Sequence, residues 1–302
     1  MRNTVLLALG SSVLGGSLLA KPLPAMKTEN GKMTEEAKSQ VMKDIAWGEA
    51  NMTDAHYANI VKDPQLARND QERMTALKAR EIFVLIDRSG SMSEEDKNPT
   101  GGSDEGWTRW KSAKMAAESI AELAILLDTD NKVDVTFFNM ERLNQPNLVH
   151  EQITHPSQLS ALFSKYTPTG ATPTFEALED LYTRKLQALL LKGEPFTTVI
   201  LTDGSPSGSA MQIKQFFKKI IKENRLEEKG RETLAAFTFV QMGDDSMAGK
   251  FLEDLDDNLI TEMGITIDIV DTKEDNFLFG TGKHKGKESG PLALFWDVLF
   301  NS

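Results

Sequence analysis

Two acids and a set of hydroxyls carry the chemistry this sequence has to offer. Asp87, Ser89 and Ser91 occupy alternate positions in Asp87-Arg88-Ser89-Gly90-Ser91, directly after the apolar run Ile82-Phe83-Val84-Leu85-Ile86. Asp203 follows a second such run in Leu201-Thr202-Asp203-Gly204-Ser205, and Thr169 and Thr172 lie in the loop Thr167–Thr174 that opens a helical stretch. All of these groups present hard oxygens, the donor type that divalent cations such as Mg²⁺ and Ca²⁺ prefer. Two carboxylates in a partly enclosed crevice repel each other and lose hydration, so one is driven neutral unless a cation lies between them. Two acids supplemented by hydroxyls and water suit Mg²⁺ best, with Mn²⁺ or Ca²⁺ as alternatives; Ca²⁺ ordinarily takes more ligands.

Each piece taken alone has a plain structural explanation. Asp87–Ser91 reads as a polar turn, Thr172 as a helix N-cap ahead of Pro173, and Asp203-Gly204 as a turn pair. Their order along a strand and helix frame is what points to a site. Ile82–Ile86 is continuous, apolar and rich in β-branched residues, as expected of a strand covered on both faces. Further strands are expected at 133–138, 147–150, 197–202, 234–240 and 266–270. Helices are expected at 109–127, 156–165, from the 167–174 loop through 191, at 210–224, 247–255 and 291–300. This alternation predicts an α/β fold with a doubly wound, mainly parallel Rossmann-like sheet and helices on both faces. In such a sheet Asp87 and Asp203 fall at the carboxyl ends of neighbouring strands, where ligands bind.

The chain has 302 residues, enough for one large domain with extensions or for two small ones. A net charge of -11 argues against nucleic acid or an anionic membrane surface as the main partner, since both demand a basic footprint. Cysteine is absent, which excludes disulfides, thiolate metal sites and cysteine nucleophiles. Residues 1–25 have one early arginine, an apolar stretch and small residues, the pattern of an export signal or anchor. An exported or membrane-anchored location follows if that segment is a signal, and a cytoplasmic one otherwise. Residues 26–80 are charged and poor in apolar periodicity, which suits a helical linker with helices near 34–47 and 71–78; residues 81–302 form the principal domain. The loop from Ser93 to Gly106 is acidic and glycine-rich and adjoins the first half of the site. His150 and His155 lie five residues apart with Pro156 directly after the second, and read as structural or solvent-exposed. Gly280–Lys287 lacks the spacing of a phosphate loop and reads as a basic surface loop.

Asp87-x-Ser89-x-Ser91, Gly170-x-Thr172-Pro173-Thr174 with Ala177-Leu178, and Leu201-Thr202-Asp203-Gly204 together resemble a von Willebrand factor type A domain with an intact metal-ion-dependent adhesion site. The resemblance runs from about Arg80 to the end of the chain. It implies Asp87, Ser89, Ser91, Thr172 and Asp203 as metal ligands, some through water, and prefers Thr172 to Thr169 because Thr172 holds the Gly-x-Thr position. Phe239–Asp245, Phe251–Asp257 and Asp268–Thr272 are similar to the tellurite-resistance-type branch of that family.

The function expected is a non-enzymatic, metal-dependent protein-binding module in which a partner's Asp or Glu completes the coordination of Mg²⁺. One alternative is a Mg²⁺-dependent phosphotransferase or hydrolase with Asp87 as nucleophile. Ser89 stands where a dehalogenase-type phosphatase would carry its acid/base aspartate, which weighs against it. The other alternative is a structural assembly subunit whose metal only stiffens the loops.

Overall fold

The computed structural model describes residues 28–29, 32–33, 79–127, 132–204, 206, 210–284, 289–291 and 293–295. Segment 1–25 and the expected helices at 34–47 and 71–78 lie outside these residues. Within 26–78 the described part is a short antiparallel pairing of Thr28–Glu29 with Lys32–Met33.

The principal sheet has six strands: β1 (Glu81–Asp87), β2 (Val133–Arg142), β3 (Gln145–Ile153), β4 (Phe196–Thr202), β5 (Ala235–Gln241) and β6 (Val270–Glu274). Their spatial order is β3-β2-β1-β4-β5-β6, parallel throughout except for β3, which runs antiparallel on one edge beside β2. β1 therefore lies at the centre, and its two neighbours are the strands that precede and follow the reversal of strand order. The expected α/β fold with a mainly parallel sheet is what the chain forms.

Alternation along β1 divides the core in two. Ile82, Val84 and Ile86 face one layer, built on α1 (Arg109–Leu127), α2 (Ser157–Lys165) and α8 (Asp275–Leu278), with Ala293–Phe295 packed against it. Phe83 and Leu85 face the other, built on α3 (Thr174–Leu181), α4 (Gln187–Lys192), α5 (Ala210–Glu223), α6 (Ser246–Asp257) and α7 (Leu259–Met263). Ala113, Ala116, Ala117, Ala121 and Ala124 of α1 are buried. These small side chains let that helix lie close on the centre of the sheet, which fixes the position of its first residue, Arg109.

Several boundaries differ from the sequence expectation. The edge strand β3 runs from 145 to 153 rather than 147 to 150, and its largely exposed residues give little apolar signal. The last strand is Val270–Glu274, not 266–270. Buried Ile265 and Ile269 mimic a strand face, whereas the charged sequence Val-Asp-Thr-Lys-Glu of β6 makes a half-exposed edge. The helix opened by the 167–174 loop is not uniform: a π turn at Tyr182–Leu186 separates α3 from α4. Of the expected terminal helix, Pro291 and Ala293–Phe295 are helical and 296–300 lie outside the described residues.

At the amino end of the sheet, Arg80 is 4% exposed. Among the described residues its guanidinium donates to neutral oxygens: Nε to Thr197 Oγ1 at 2.8 Å, Nη1 to the Thr233 carbonyl and Nη2 to the Phe196 carbonyl. Burial pushes its pKa down to about 9. The side chain ties the entry to β1 onto the starts of β4 and β5.

Candidate metal centre

At the opposite end, parallel register sets the geometry. Ile86 pairs with Leu201, so both strands finish at the same level and deliver Asp87 beside Thr202 and Asp203. Asp87 and Asp203 are 0% and 1% exposed. Asp87 Oδ1 accepts the Ser89 backbone N–H at 2.8 Å and Oδ2 accepts the Thr202 hydroxyl at 2.7 Å. After Asp87 the chain makes a single 3-10 turn, Gly90–Ser93, which presents the two serines on one side. Ser89 Oγ lies 3.1 Å from Ser91 Oγ, and Ser91 Oγ donates to Asp203 Oδ1 at 2.9 Å. Asp87, Ser89, Ser91 and Asp203 thus form one hydrogen-bonded chain.

The third loop is held against this turn by its backbone. Gly90 N–H donates to the Gly170 carbonyl at 2.9 Å and Thr169 N–H to the Arg88 carbonyl at 2.8 Å. Asn139 Nδ2 donates to the Thr169 carbonyl at 2.7 Å, and Ala171 makes a bridge with Met140. Gly170 has φ +76°, and a β-carbon there would sit 2.4 Å from the Met140 carbonyl oxygen. Only glycine fits that approach, which is the physical reason for glycine two positions before Thr172. Thr172 itself is buried on this loop. α3 starts at Thr174 with Pro173 in the N-cap position, one residue later than a Thr172 cap would set it. Ser205 lies outside the described residues.

Burial, and then the charge of Asp203, push the Asp87 pKa up to about 7. Burial also raises Asp203, although hydrogen bonds from Arg109 and Ser91 and the Arg109 charge pull the other way. Near neutral pH the protein therefore holds two carboxyl groups that a nearby cation would favour in the charged form. Among the described residues no group of three or more His, Asp or Glu is arranged to hold a metal. An ion at this end would depend on two carboxylates and hydroxyls. That donor set fits a hard divalent cation such as Mg²⁺.

Sequence reasoning missed two participants. Thr202 closes over Asp87, and Arg109 enters the site from the start of α1. Arg109 Nη1 donates to Asp203 Oδ2 at 3.0 Å and lies 3.1 Å from Glu94 Oε2; its Nε donates to Asp96 Oδ2 at 2.9 Å. Burial acts to lower the Arg109 guanidinium, but its bonds to Asp96 and Asp203 hold it above its ordinary range. A signal for Arg109 existed: an arginine at the first position of a helix opposes the helix dipole, and this one follows an acidic loop. That loop is folded against the site. Glu95 bridges to Thr108, Asp96 N–H donates to the Trp107 carbonyl at 2.9 Å, and the Thr281 hydroxyl donates to the Pro99 carbonyl.

The remaining candidates serve structure. His150 Nδ1 lies 3.1 Å from Thr136 Oγ1, and His155 Nδ1 lies 2.8 Å from Ser157 Oγ. In the C-terminal half, Asp256 accepts the backbone N–H and hydroxyl of Thr272, joining α6 to β6. Lys283 pairs with Glu274.

No family model matches the chain, and no curated protein matches it. Among solved structures, the chain is similar to the VWA domain of SpRpn10 at 13% identity, over 65% of this chain and 87% of that one, with a TM-score of 0.44. It is also similar to manganese-loaded TRAP from Plasmodium vivax, at 13% identity over 66% and 70% of the two chains, TM-score 0.39. A third is an aerotolerance-related membrane protein from Bacteroides fragilis bearing multiple mutations to serine, at 16% identity over 54% and 68%, TM-score 0.36. The fold assignment rests on the strand order and register above, independently of these likenesses.

Proposed function

We propose that this chain is a von Willebrand factor type A-like, divalent-metal-dependent protein-binding module. The observation that carries the reading is the pair of buried carboxyl groups, Asp87 and Asp203, linked through the Ser89 N–H and the hydroxyls of Ser89 and Ser91 at the carboxyl ends of adjacent central strands. Asp87, Ser89, Ser91, Thr172 and Asp203 would hold Mg²⁺, or Mn²⁺ or Ca²⁺ in its place. When bound, the ion supplies a Lewis-acidic position that a partner's Asp or Glu carboxylate can complete. The protein's own residues do the positioning. The Ser89 N–H and the Thr202 hydroxyl aim Asp87, the Thr169–Gly170 backbone contacts hold the Thr172 loop in place, and the central strands keep the two acids at one level. Because only two carboxylates contribute, one of them already paired with Arg109, the site favours an additional anionic donor. The similarity of the C-terminal half to the tellurite-resistance-type branch belongs to this reading and rests on sequence alone.

An adhesion or scaffold role needs no catalytic group, and the site has Ser89 in place of a second acid at that position. Among the described residues no helix is long and apolar enough to cross a membrane. Export or anchoring is proposed for segment 1–25 on its sequence alone. The test is capture of partners from native lysate in Mg²⁺ against EDTA, with wild type and Asp87→Ala compared. Mg²⁺-dependent capture by wild type, lost in a folded Asp87→Ala, is the expected result. Capture that ignores both EDTA and the substitution sinks the reading, and Mg²⁺-dependent phosphoester turnover lost in Asp87→Asn favours the hydrolase instead.

A further inference from the structure

The two acids of the site are served differently. Both oxygens of Asp87 accept from neutral donors, a backbone N–H and the Thr202 hydroxyl. Asp203 accepts the Ser91 hydroxyl on one oxygen and the Arg109 guanidinium on the other. Arg109 is not a surface side chain that happens to reach inward. Its side chain is 11% exposed, that of Asp203 is 0% and that of Asp96 is 7%. The three are fixed by separate elements: Asp203 by the end of β4, Arg109 by the first turn of α1 and Asp96 by the 93–106 loop. Gly243, after β5, completes the enclosure. It has φ +82°, and a β-carbon there would lie 2.1 Å from Asp96 Oδ2 and 2.9 Å from Arg109 Nε. A helix N-terminus disfavours a cation, and an arginine placed there is held by the carboxylates around it.

We infer that Arg109 is a built-in counter-cation that sets the affinity of the site for its metal by partly offsetting the charge of Asp203. The inference rests on the metal-binding reading proposed above. A divalent ion arriving between Asp87 and Asp203 meets an Asp203 whose charge is already partly offset, although Arg109 also serves Asp96 and Glu94, and it shares Asp203 with a guanidinium that cannot lose its charge. The ion is therefore held weakly by the protein alone and retains more positive character for an incoming carboxylate. Metal and acidic partner then bind cooperatively, each raising the affinity of the other. The acidic 93–106 loop enters this arrangement through Asp96, which anchors the second arm of the arginine.

The experiment is a calorimetric titration of Mn²⁺ into the metal-free full chain, with thermal melting in EDTA and in Mn²⁺ as the second readout. Arg109→Gln is expected to bind Mn²⁺ about tenfold more tightly than wild type, the smaller end of the effect of a unit charge at 4–6 Å. Arg109→Lys keeps the charge but cannot span Asp96 and Asp203 as a fork, and should gain about threefold. It also serves as the reading variant if Arg109→Gln does not fold. Lys97→Gln removes an equal charge from the same region, from an exposed pair with Asp244, and should bind as wild type does. Unchanged or weaker Mn²⁺ binding in the folded Arg109 variants overturns the inference, and so does an equal gain in Lys97→Gln. Asp87→Ala separates this from the parent reading. If it loses Mn²⁺ binding and the Arg109 variants gain none, only the counter-cation inference fails. If wild type binds Mn²⁺ no better than Asp87→Ala, both fall.

Discussion

The two ends of the central sheet bury charge in opposite ways. At the amino end, Arg80 spreads one guanidinium over three neutral oxygens of β4 and the segment before β5. At the carboxyl end, Asp87 and Asp203 are buried at adjacent strand ends, and one guanidinium is divided among Asp203, Asp96 and Glu94. In the first arrangement each guanidinium nitrogen donates to a protein oxygen and no second charge competes for it, although burial without an acid still pulls the pKa down. In the second, two like charges compete for too little positive charge, which burial makes more costly. Strand ends that do structural work close their polar groups among themselves. Strand ends that bind leave a deficit for a ligand to fill.

The strongest way to break this contrast is Asp87→Ala. It should lower Mn²⁺ affinity at least about 100-fold while leaving the circular dichroism spectrum native, since loss of a ligand should exceed the loss of a supporting group. Next in size is the pH response of the metal-free protein. Asp87 is pushed up to about 7 by burial and by Asp203. Asp268 and Asp275 are pushed up to about 6 by burial, reinforced by Asp256 and Asp271 in the first case and by Asp96 and Glu274 in the second. The native state keeps protons that the unfolded chain releases near pH 4. These groups add stability fully below about pH 4 and lose it as pH rises through 6 and 7. Urea midpoints in EDTA at pH 5, 6 and 7.5 should show Asp87→Asn gaining on wild type as pH increases, and Mg²⁺ should narrow that gap.

At the other end, Arg80→Met should cost about 2–4 kcal/mol in urea unfolding, through three lost charge-assisted hydrogen bonds, with Mn²⁺ affinity unchanged. A loss of metal binding there would show that the ends are coupled. The smallest effect is expected of Gly243→Ala. A left-handed alanine costs about 1–2 kcal/mol, and its β-carbon must displace Asp96. Loosening Arg109 in this way should tighten Mn²⁺ binding slightly even as stability falls.

This division was partly legible in the sequence. Asp87 and Asp203 could be placed together because each ends an apolar strand and the doubly wound order makes those strands neighbours. The serines followed from alternate spacing on a tight turn. Arg109 carries a weaker signal, its place at the start of a helix after an acidic loop, and its partner Asp203 depends on where α1 begins relative to β4, which is set by alanine packing on the sheet. Arg80 reads as a linker residue, because a buried arginine without an acid has no sequence signature. β6 was misplaced because its register is fixed by pairing with β5, while the apolar signal lies at Ile265 and Ile269 just before it.

One further consequence lies in the sequence distances. The hydrogen bonds that assemble the site, Thr202 to Asp87 and Ser91 to Asp203, join residues separated by 115 and 112 positions. Parallel β1 and β4 meet only after α1, β2, β3, α2 and the π-interrupted helix have been accommodated between them. Closing such long loops is slow. Capacity to take up an ion should therefore arise only once β1 and β4 have paired, and Mn²⁺ uptake during refolding would report formation of that central pair.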